Sequence, residues 1–557
     1  APPAPAGRSG QAATGTSRPP VPVRPGPGGA ATGTPAPVQA AVLLRSETPA
    51  PRPYEVPLPM PPVLKPVRTD ATTDYYEITQ RAADVRILPG RTTPAWTYEG
   101  TFPGPTLVSR SGRRTVVRHR NDLPHPVVVH LHGGHTPHGS DGYPTSYILP
   151  ASGTGNGSVK SSANGHHHAT RSPVPATPGH TGGHGGGGMP GMPGGGGAPG
   201  ETTVWERTYT YPMNQRAATL WYHDHRMDFT GPAVWFGLAG FHLVHDDEED
   251  ALPLPRGGRD LPLMVSDRSF TADGRFAYPA LDPTGQKPGV TDTYMEGVLG
   301  DVILVNGAPW PVHQVRRLRY RLRLLNNSNS RHYRLALDPP PPGGGGLVQI
   351  GGDGGLLERP VPHDALDFAP AERFDVVVDF ARYRPGTRVR LVNRLGAGGT
   401  AHVMRFDVSP SAKAPADDTR VPPKLSAIPR LDPAKAVQTR SFRFRRSGDG
   451  RGWGINSRPY VPGNAHARIK GDTTELWRIV SDSQHPVHVH LNPFQVVGRN
   501  GRAPGPYDAG WKDTVNLDAG EWVELAVRFT DYPGQYLMHC HNLEHEDMGM
   551  MGDFVVE

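Results

Sequence analysis

Short apolar or alternating runs recur along the chain, among them Thr115-Val116-Val117, Val127-Val128-Val129, Phe374-Asp375-Val376-Val377-Val378 and Val523-Glu524-Leu525-Ala526-Val527. Turn residues separate them, and long helical periodicity is scarce. Side chains alternate across an extended strand, so such runs suit a pleated sheet with a buried face, whereas an amphipathic helix repeats its apolar positions over a longer span. The pattern predicts an all-β protein of antiparallel sandwiches or Greek-key barrels. Breaks fall near Asp246–Gly258, acidic and then rich in Pro and Gly, and near Ser409–Pro433, rich in Pro, Ala, Lys and Asp. They divide the chain into three β domains, at 49–247, 258–410 and 434–557. A length of 557 residues has room for about three or four domains of roughly 150 residues.

Two stretches depart from this pattern. Residues 1–48 are Ala, Pro, Gly and Thr with almost no aromatic content, and 151–200 set His166-His167-His168, His180, His184, Met189 and Met192 in glycine. The 69 Gly and 64 Pro are about twice the usual share. Such segments cannot bury enough apolar surface to offset the entropy of ordering, so a disordered leader and a low-complexity insert in the first domain are expected.

The formal charge of +6 comes from scattered Arg residues, with no stripe interleaved by aromatics, which predicts a basic soluble surface and no nucleic-acid partner. No run of about 18 apolar residues occurs, so no membrane span is expected. The single cysteine, Cys540, excludes an intrachain disulfide, so cysteine content does not decide the compartment. The chain starts at Ala1 without a visible signal segment; the expectation is a secreted or cell-envelope protein after signal removal, with a cytoplasmic location as the alternative.

Four clusters carry the chemistry: His130-Leu131-His132, His223-Asp224-His225, His485-Pro486-Val487-His488-Val489-His490, and His539-Cys540-His541 followed by His545 and Met550. On a strand, the two histidines of a His-x-His point the same way, making a rack of two metal ligands. One such pair could be two ordinary core or surface histidines. Three pairs and a His-Cys-His among only 26 histidines are not a chance grouping. If His539-Cys540-His541 is extended, its histidines face one side and the thiolate the other. Cysteine, two imidazoles and a distant thioether form the ligand set of a blue-copper electron-transfer site. Here the set would be Cys540, His485 and His545, with Met550 as weak axial ligand in competition with Met548 and Met551. Zinc usually takes four Cys/His ligands in one compact cluster, which a single cysteine among paired histidines does not suit. A nucleophilic cysteine with a histidine base leaves the remaining histidines without a role.

These motifs resemble those of bacterial three-domain multicopper oxidases, a family that includes spore-coat laccases, phenoxazinone synthases, bilirubin oxidases and periplasmic cuprous oxidases. Asp353-Gly354-Gly355-Leu356-Leu357, Ala369-Pro370-Ala371-Glu372-Arg373, Gly510-Trp511-Lys512-Asp513-Thr514 and His545-Glu546-Asp547 support the resemblance, which covers roughly 50–150 and 200–557. It implies three cupredoxin-like Greek-key barrels and four copper ions. His485, Cys540, His545 and Met550 would hold the type 1 copper, the family's spacing selecting Met550, and His130 and His488 the type 2 copper. The type 3 pair would take His132, His223 and His541 on one ion and His225, His490 and His539 on the other. The middle domain would supply none; its His313, His332 and His363 stand isolated. Electrons would enter beside His545 and pass through Cys540 to His539 and His541. Glu546 and Asp141 match acidic positions associated with proton delivery.

The resemblance implies a laccase-like oxidase of phenols or aromatic amines with O₂ as acceptor. Cuprous or other metal-ion oxidation, o-aminophenol coupling and bilirubin oxidation are alternatives, and copper buffering through the His/Met insert is a non-enzymatic one. The stretch Val497–Trp511 is short and contains no Met. That argues against a dedicated cuprous oxidase and predicts an open type 1 site.

Overall fold

A computed structural model describes residues 40–151 and 200–557, apart from 412, 414, 415, 449 and 451. Among the described residues most strands fall into three successive pairs of sheets, with two further two-stranded sheets beside them. The first pair joins a five-stranded sheet around Thr73–Val85 and Arg114–Asn121 to a four-stranded one made of Gly104–Arg110, Val129–His132, Ala218–Asp224 and Ala239–His245. The second pairs an eight-stranded sheet around Asp260–Phe270 and Arg319–Asn326 with a five-stranded one containing Tyr333–Asp338, Arg388–Asn393 and His402–Val408. The third has two five-stranded sheets, one carrying His485–Val489 and Gly534–Cys540.

Alternation fills the space within each pair. In Arg114–Asn121 every second residue is buried, and Val117 meets Ile78, Tyr209, Leu131 and Leu220 in the first core. The third core gathers Trp477, Ile479, Val487, Leu525, Phe554 and Cys540.

The sheets are not purely antiparallel. Thr73–Val85 runs parallel to Arg114–Asn121, Asp260–Phe270 to Arg319–Asn326, and Gln438–Arg446 to Thr474–Ser481. The same early parallel pairing opens all three domains, and a parallel neighbour requires a crossover connection. The domains are thus three copies of one cupredoxin-like Greek-key plan.

The expected leader, 1–48, is too long at its C-terminal end. Val42–Leu43 adds as a parallel strand to Val298–Leu299, and the Ser46 amide donates to Asp301 Oδ2 at 2.8 Å. Unpaired edge groups of the middle domain gain partners this way, which composition alone does not reveal. Residues 1–39 lie outside the described residues, as do 152–199 with their His and Met clusters.

Candidate metal centres

Register aligns the racks. Val129–His132 lies antiparallel to Ala218–Asp224, with His130 opposite His223 and His132 opposite Trp221. Asp224 points away from its flanking histidines and accepts the amides of Val128 and Arg226 at 3.0 and 2.9 Å, locking the turn that presents His225. In the third domain His488 is opposite Thr514 on one side and His539 on the other. His490 and His541 lie just beyond their strand ends.

The two domains bring these eight histidines face to face in a buried site. The His132 and His488 rings stack at 3.7 Å and those of His130 and His490 at 3.9 Å. His539 Nε2 lies 3.1 Å from His490 Nε2 and 3.4 Å from His225 Nε2. Ligand atoms converge within 4.8 Å in the triads His130, His132 and His488; His132, His223 and His541; and His225, His490 and His539.

Protonation favours ligation. Burial holds the His223 and His225 rings down to about 3 and about 4, and drives His130, His132, His490 and His541 well below the usual range. Neutral rings with free lone pairs result. One nitrogen of each of several rings is already engaged: His130 Nδ1 with the Asp141 carbonyl at 2.5 Å, His223 Nδ1 with that of Asp224 at 2.8 Å, and His488 Nδ1 with that of Asp513 at 2.8 Å. The opposite nitrogens, Nε2 of His130, His223 and His488, have no hydrogen-bond partner, nor do Nδ1 of His132 and His225 or either nitrogen of His541. A buried orphan costs about 1–3 kcal/mol, a cost that a bound cation removes.

The second centre lies on the other face of Gly534–Cys540. Cys540 Sγ is 3.5 Å from His485 Nδ1 and 3.7 Å from His545 Nδ1, and the two Nδ1 atoms are 3.1 Å apart. Burial pushes the thiol up, so a thiolate here needs a cation beside it. The outer nitrogens are tethered, His485 Nε2 to Asp482 and Ser483 at 3.1 Å and His545 Nε2 to the Asn542 amide at 3.3 Å. Such tethers set which nitrogen faces a metal. Asn542 also caps the short helix Leu543–Asp547, which carries His545.

After that helix the chain turns back. Met550 N donates to His545 O at 2.9 Å and Cys540 N to Met550 O at 3.0 Å. The next residue, Met551, pairs with His539 and packs with Tyr143, Tyr460 and Leu537, while Met550 is buried in the core that contains Cys540. Met548 is only half-buried, packed between the middle and third cores. A thioether donor stabilises Cu(II), so Met550→Leu should raise the type 1 potential by tens of millivolts, about 59 mV marking a tenfold change in equilibrium constant. Redox titration of Leu variants at 548, 550 and 551 checks this; a large shift at 548 or 551 alone would transfer the axial role.

The expected carboxylates are both at the histidine cluster. Asp141 Oδ2 is 2.7 Å from His490 Nδ1, and its Oδ1 has no partner. Glu546 Oε2 is 3.1 Å from His539 Nδ1 and Oε1 is 3.7 Å from His225 Nε2, and neither oxygen completes a hydrogen bond. Sequence reasoning missed several neighbours. Trp221 stacks on His223 at 4.3 Å, and the Asp513 carboxylate lies 3.1 Å from His132 Nε2. Glu544, pushed up to about 7 by burial, accepts from Asn329 Nδ2, Tyr278 OH and the Val298 amide at 2.7, 3.0 and 3.1 Å, tying the His545 helix to the middle domain.

The expected open type 1 site is not found: His545 is only 2% exposed. The cover comes from outside the short Val497–Trp511 stretch. Trp453 lies over the His545 ring at 3.9 Å and donates to the Met295 carbonyl at 3.1 Å, while Arg446 caps Trp453 and pairs with Glu296. Two cavities lie by the centres, and only the first is lined by candidate ligands. One of about 490 Å³ is lined by His130, His488 and His490 with Asp513 and Asp531. The other, about 370 Å³, is lined by His332, Gln484, Asn516 and Asp518 beside His485.

Residues 80–161, 186–249 and 426–557 match the multicopper oxidase family. A laccase of Bacillus stratosphericus is 34% identical over 547 residues, spanning 88% of this chain and 96% of its own. A bilirubin oxidase of Albifimbria verrucaria is 32% identical over 480 residues, covering 82% and 72%. The chain belongs to the multicopper oxidases. The solved structure of a laccase from Pediococcus acidilactici superposes with a TM-score of 0.73 at 29% identity, over 92% of this multicopper oxidase and 96% of that chain. A multicopper oxidase uses four coppers, one of type 1, one of type 2 and a type 3 pair. The orphaned imidazole lone pairs and the Cys540 triad of this multicopper oxidase fit them.

Proposed function

We propose that this laccase-like multicopper oxidase oxidises phenols and aromatic amines one electron at a time and passes the electrons to O₂. The observation that carries the reading is the strand Gly534–Cys540, which aims Cys540 at His485 and His545 while its neighbours His539 and His541 enter the histidine cluster. Two peptide bonds therefore link the electron entry site to the site of O₂ reduction. When bound, the copper ions supply one-electron redox steps and store electrons until O₂ can take four.

The residues divide the work. His485, Cys540, His545 and Met550 hold the type 1 ion, and the soft thiolate gives the protein its blue colour. His130 and His488 hold the type 2 ion; His132, His223 and His541, with His225, His490 and His539, hold the type 3 pair. Asp141 and Glu546 hand protons to the cluster. The 490 Å³ cavity admits O₂. The 370 Å³ cavity beside Gln484 takes a substrate whose hydroxyl or amino group meets Asp518 and His332.

A second reading, Cu(I) oxidation, is favoured by the His and Met residues of 151–200. Turnover of a phenol, a tetrapyrrole and Cu(I) in air separates the readings, compared between the full chain and a variant with a short Gly/Ser linker in place of 152–199. The flanking segments are held independently, Ile148 and Leu149 pairing with Thr203 and Val204. The linker variant should therefore keep its colour and phenol turnover within a few-fold. Selective loss of Cu(I) turnover would favour the second reading, and copper binding without any turnover would reduce the protein to a buffer.

A further inference from the structure

Three motifs without a copper ligand converge on one buried network. Arg373 opens the middle-domain strand Arg373–Asp379 and its side chain is fully buried. Its Nη1 donates to Asp513 Oδ1 at 2.8 Å and its Nη2 pairs with Asp513 Oδ2. Nε donates at 3.0 Å to the carbonyl of Thr219, which lies on the strand that carries His223. The backbone amide of Arg373 donates to Asp353 Oδ1 at 2.8 Å. Lys512 lies 3.2 Å from Asp353 and 3.1 Å from Glu372. The same crowding explains the glycine after His132: Gly133 has φ +84, and a Cβ there would lie 2.8 Å from Arg373 Nη2 and 2.9 Å from Asp513 Oδ2.

Asp513 reaches both racks. Its Oδ1 lies 3.1 Å from His132 Nε2, and its carbonyl accepts from His488 Nδ1 at 2.8 Å. A guanidinium grips a carboxylate at two points and fixes its plane, which a single ammonium cannot do. With that plane fixed, Oδ1 keeps the proton of His132 on Nε2 and leaves Nδ1, which has no partner, free to ligate. We propose that Arg373 is a positioning residue for the copper cluster, setting the ring orientation and tautomer of His132 through Asp513. The middle domain thereby shapes a site to which it gives no ligand. This rests on His132 being a cluster ligand, as read above.

The test uses copper-loaded Arg373→Gln, Arg373→Lys and Asp513→Asn. Removing an outer partner of a metal-bound histidine typically costs about 10–100-fold in metal affinity, and that loss is expected at the cluster in all three variants. The type 2 paramagnetic signal should change, or the silent type 3 pair should become visible, while the type 1 signal and potential stay as in the parent. Lys restores the charge without the two-point grip, so it should not rescue the signature. The Arg373→Gln, Asp513→Asn double variant should lose no more than the worse single one, since both act through one contact. Unchanged cluster signals in a folded Arg373 variant, rescue by Lys, or additive losses in the double variant would overturn the proposal. If neither Arg373 variant folds, Asp513→Asn with parental cluster signals overturns it as well. His132→Ala separates the two levels: if it too leaves cluster copper intact, the ligand assignment fails, whereas cluster loss there alone refutes only the role of Arg373.

Discussion

Cys540→Ser is expected to abolish the blue colour, type 1 copper and substrate oxidation together. Sγ is a soft donor within 4 Å of both His485 Nδ1 and His545 Nδ1. A serine hydroxyl keeps the shape but offers a hard, protonated oxygen that neither binds Cu(I) well nor couples the metal to the strand. The histidine cluster lies on the other face and keeps all its donors, so copper should fall from four per chain to three. The type 2 paramagnetic signal should persist, with the type 3 pair still silent. The exchange leaves a buried hydroxyl in the third core, a destabilisation of about 1–3 kcal/mol, small enough for the fold to persist by circular dichroism. Metal analysis with optical and paramagnetic spectra checks the result; a mutant that stays blue would place the type 1 ion elsewhere.

Glu546→Gln should slow turnover by about 10²–10⁴-fold, the usual contribution of a positioned proton donor. Glutamine matches glutamate in size, so the helix Leu543–Asp547 and the His545 ligand should keep their places. What is lost is a group that can carry a proton. Both Glu546 oxygens are buried without a hydrogen-bond partner and lie 3.1 Å and 3.7 Å from rings of His539 and His225. The defect should appear in one half of the cycle. Substrate should bleach the type 1 colour without air as fast as in the parent, while recovery of the colour on admitting O₂ should be slow. Recovery at the parental rate would leave Glu546 only a packing role.

The metal ligands were legible because their spacing is a property of strands. His130 and His132, or His539 and His541, share a face wherever an extended backbone holds them, and Cys540 then takes the opposite face without reference to the rest of the fold. Met550 is singled out from Met548 and Met551 only by the spacing that the family resemblance implies, and the turn after His545 agrees, bonding its backbone to that of Cys540. Other features depend on segments far apart in the chain. Arg373 and Asp513 are 140 positions apart, and nothing in either motif announces that a middle-domain guanidinium reaches the cluster. Trp453, resting on Met295, covers the site that the short Val497–Trp511 stretch predicts to be open. Val42 and Leu43 looked like part of a featureless leader until Val298 and Leu299 offered them an edge.

The sequence by itself determined the all-β class, the two-ligand racks, the thiolate centre and its covalent link to the cluster, because periodicity two and adjacency along the chain survive in any packing. Tertiary structure alone decided which racks face each other, which nitrogen of each ring stays free, and what covers and braces the ligands. Those outcomes depend on burial and on hydrogen bonds across domains, and a buried charge such as Asp513 is stable only where folding delivers its partner.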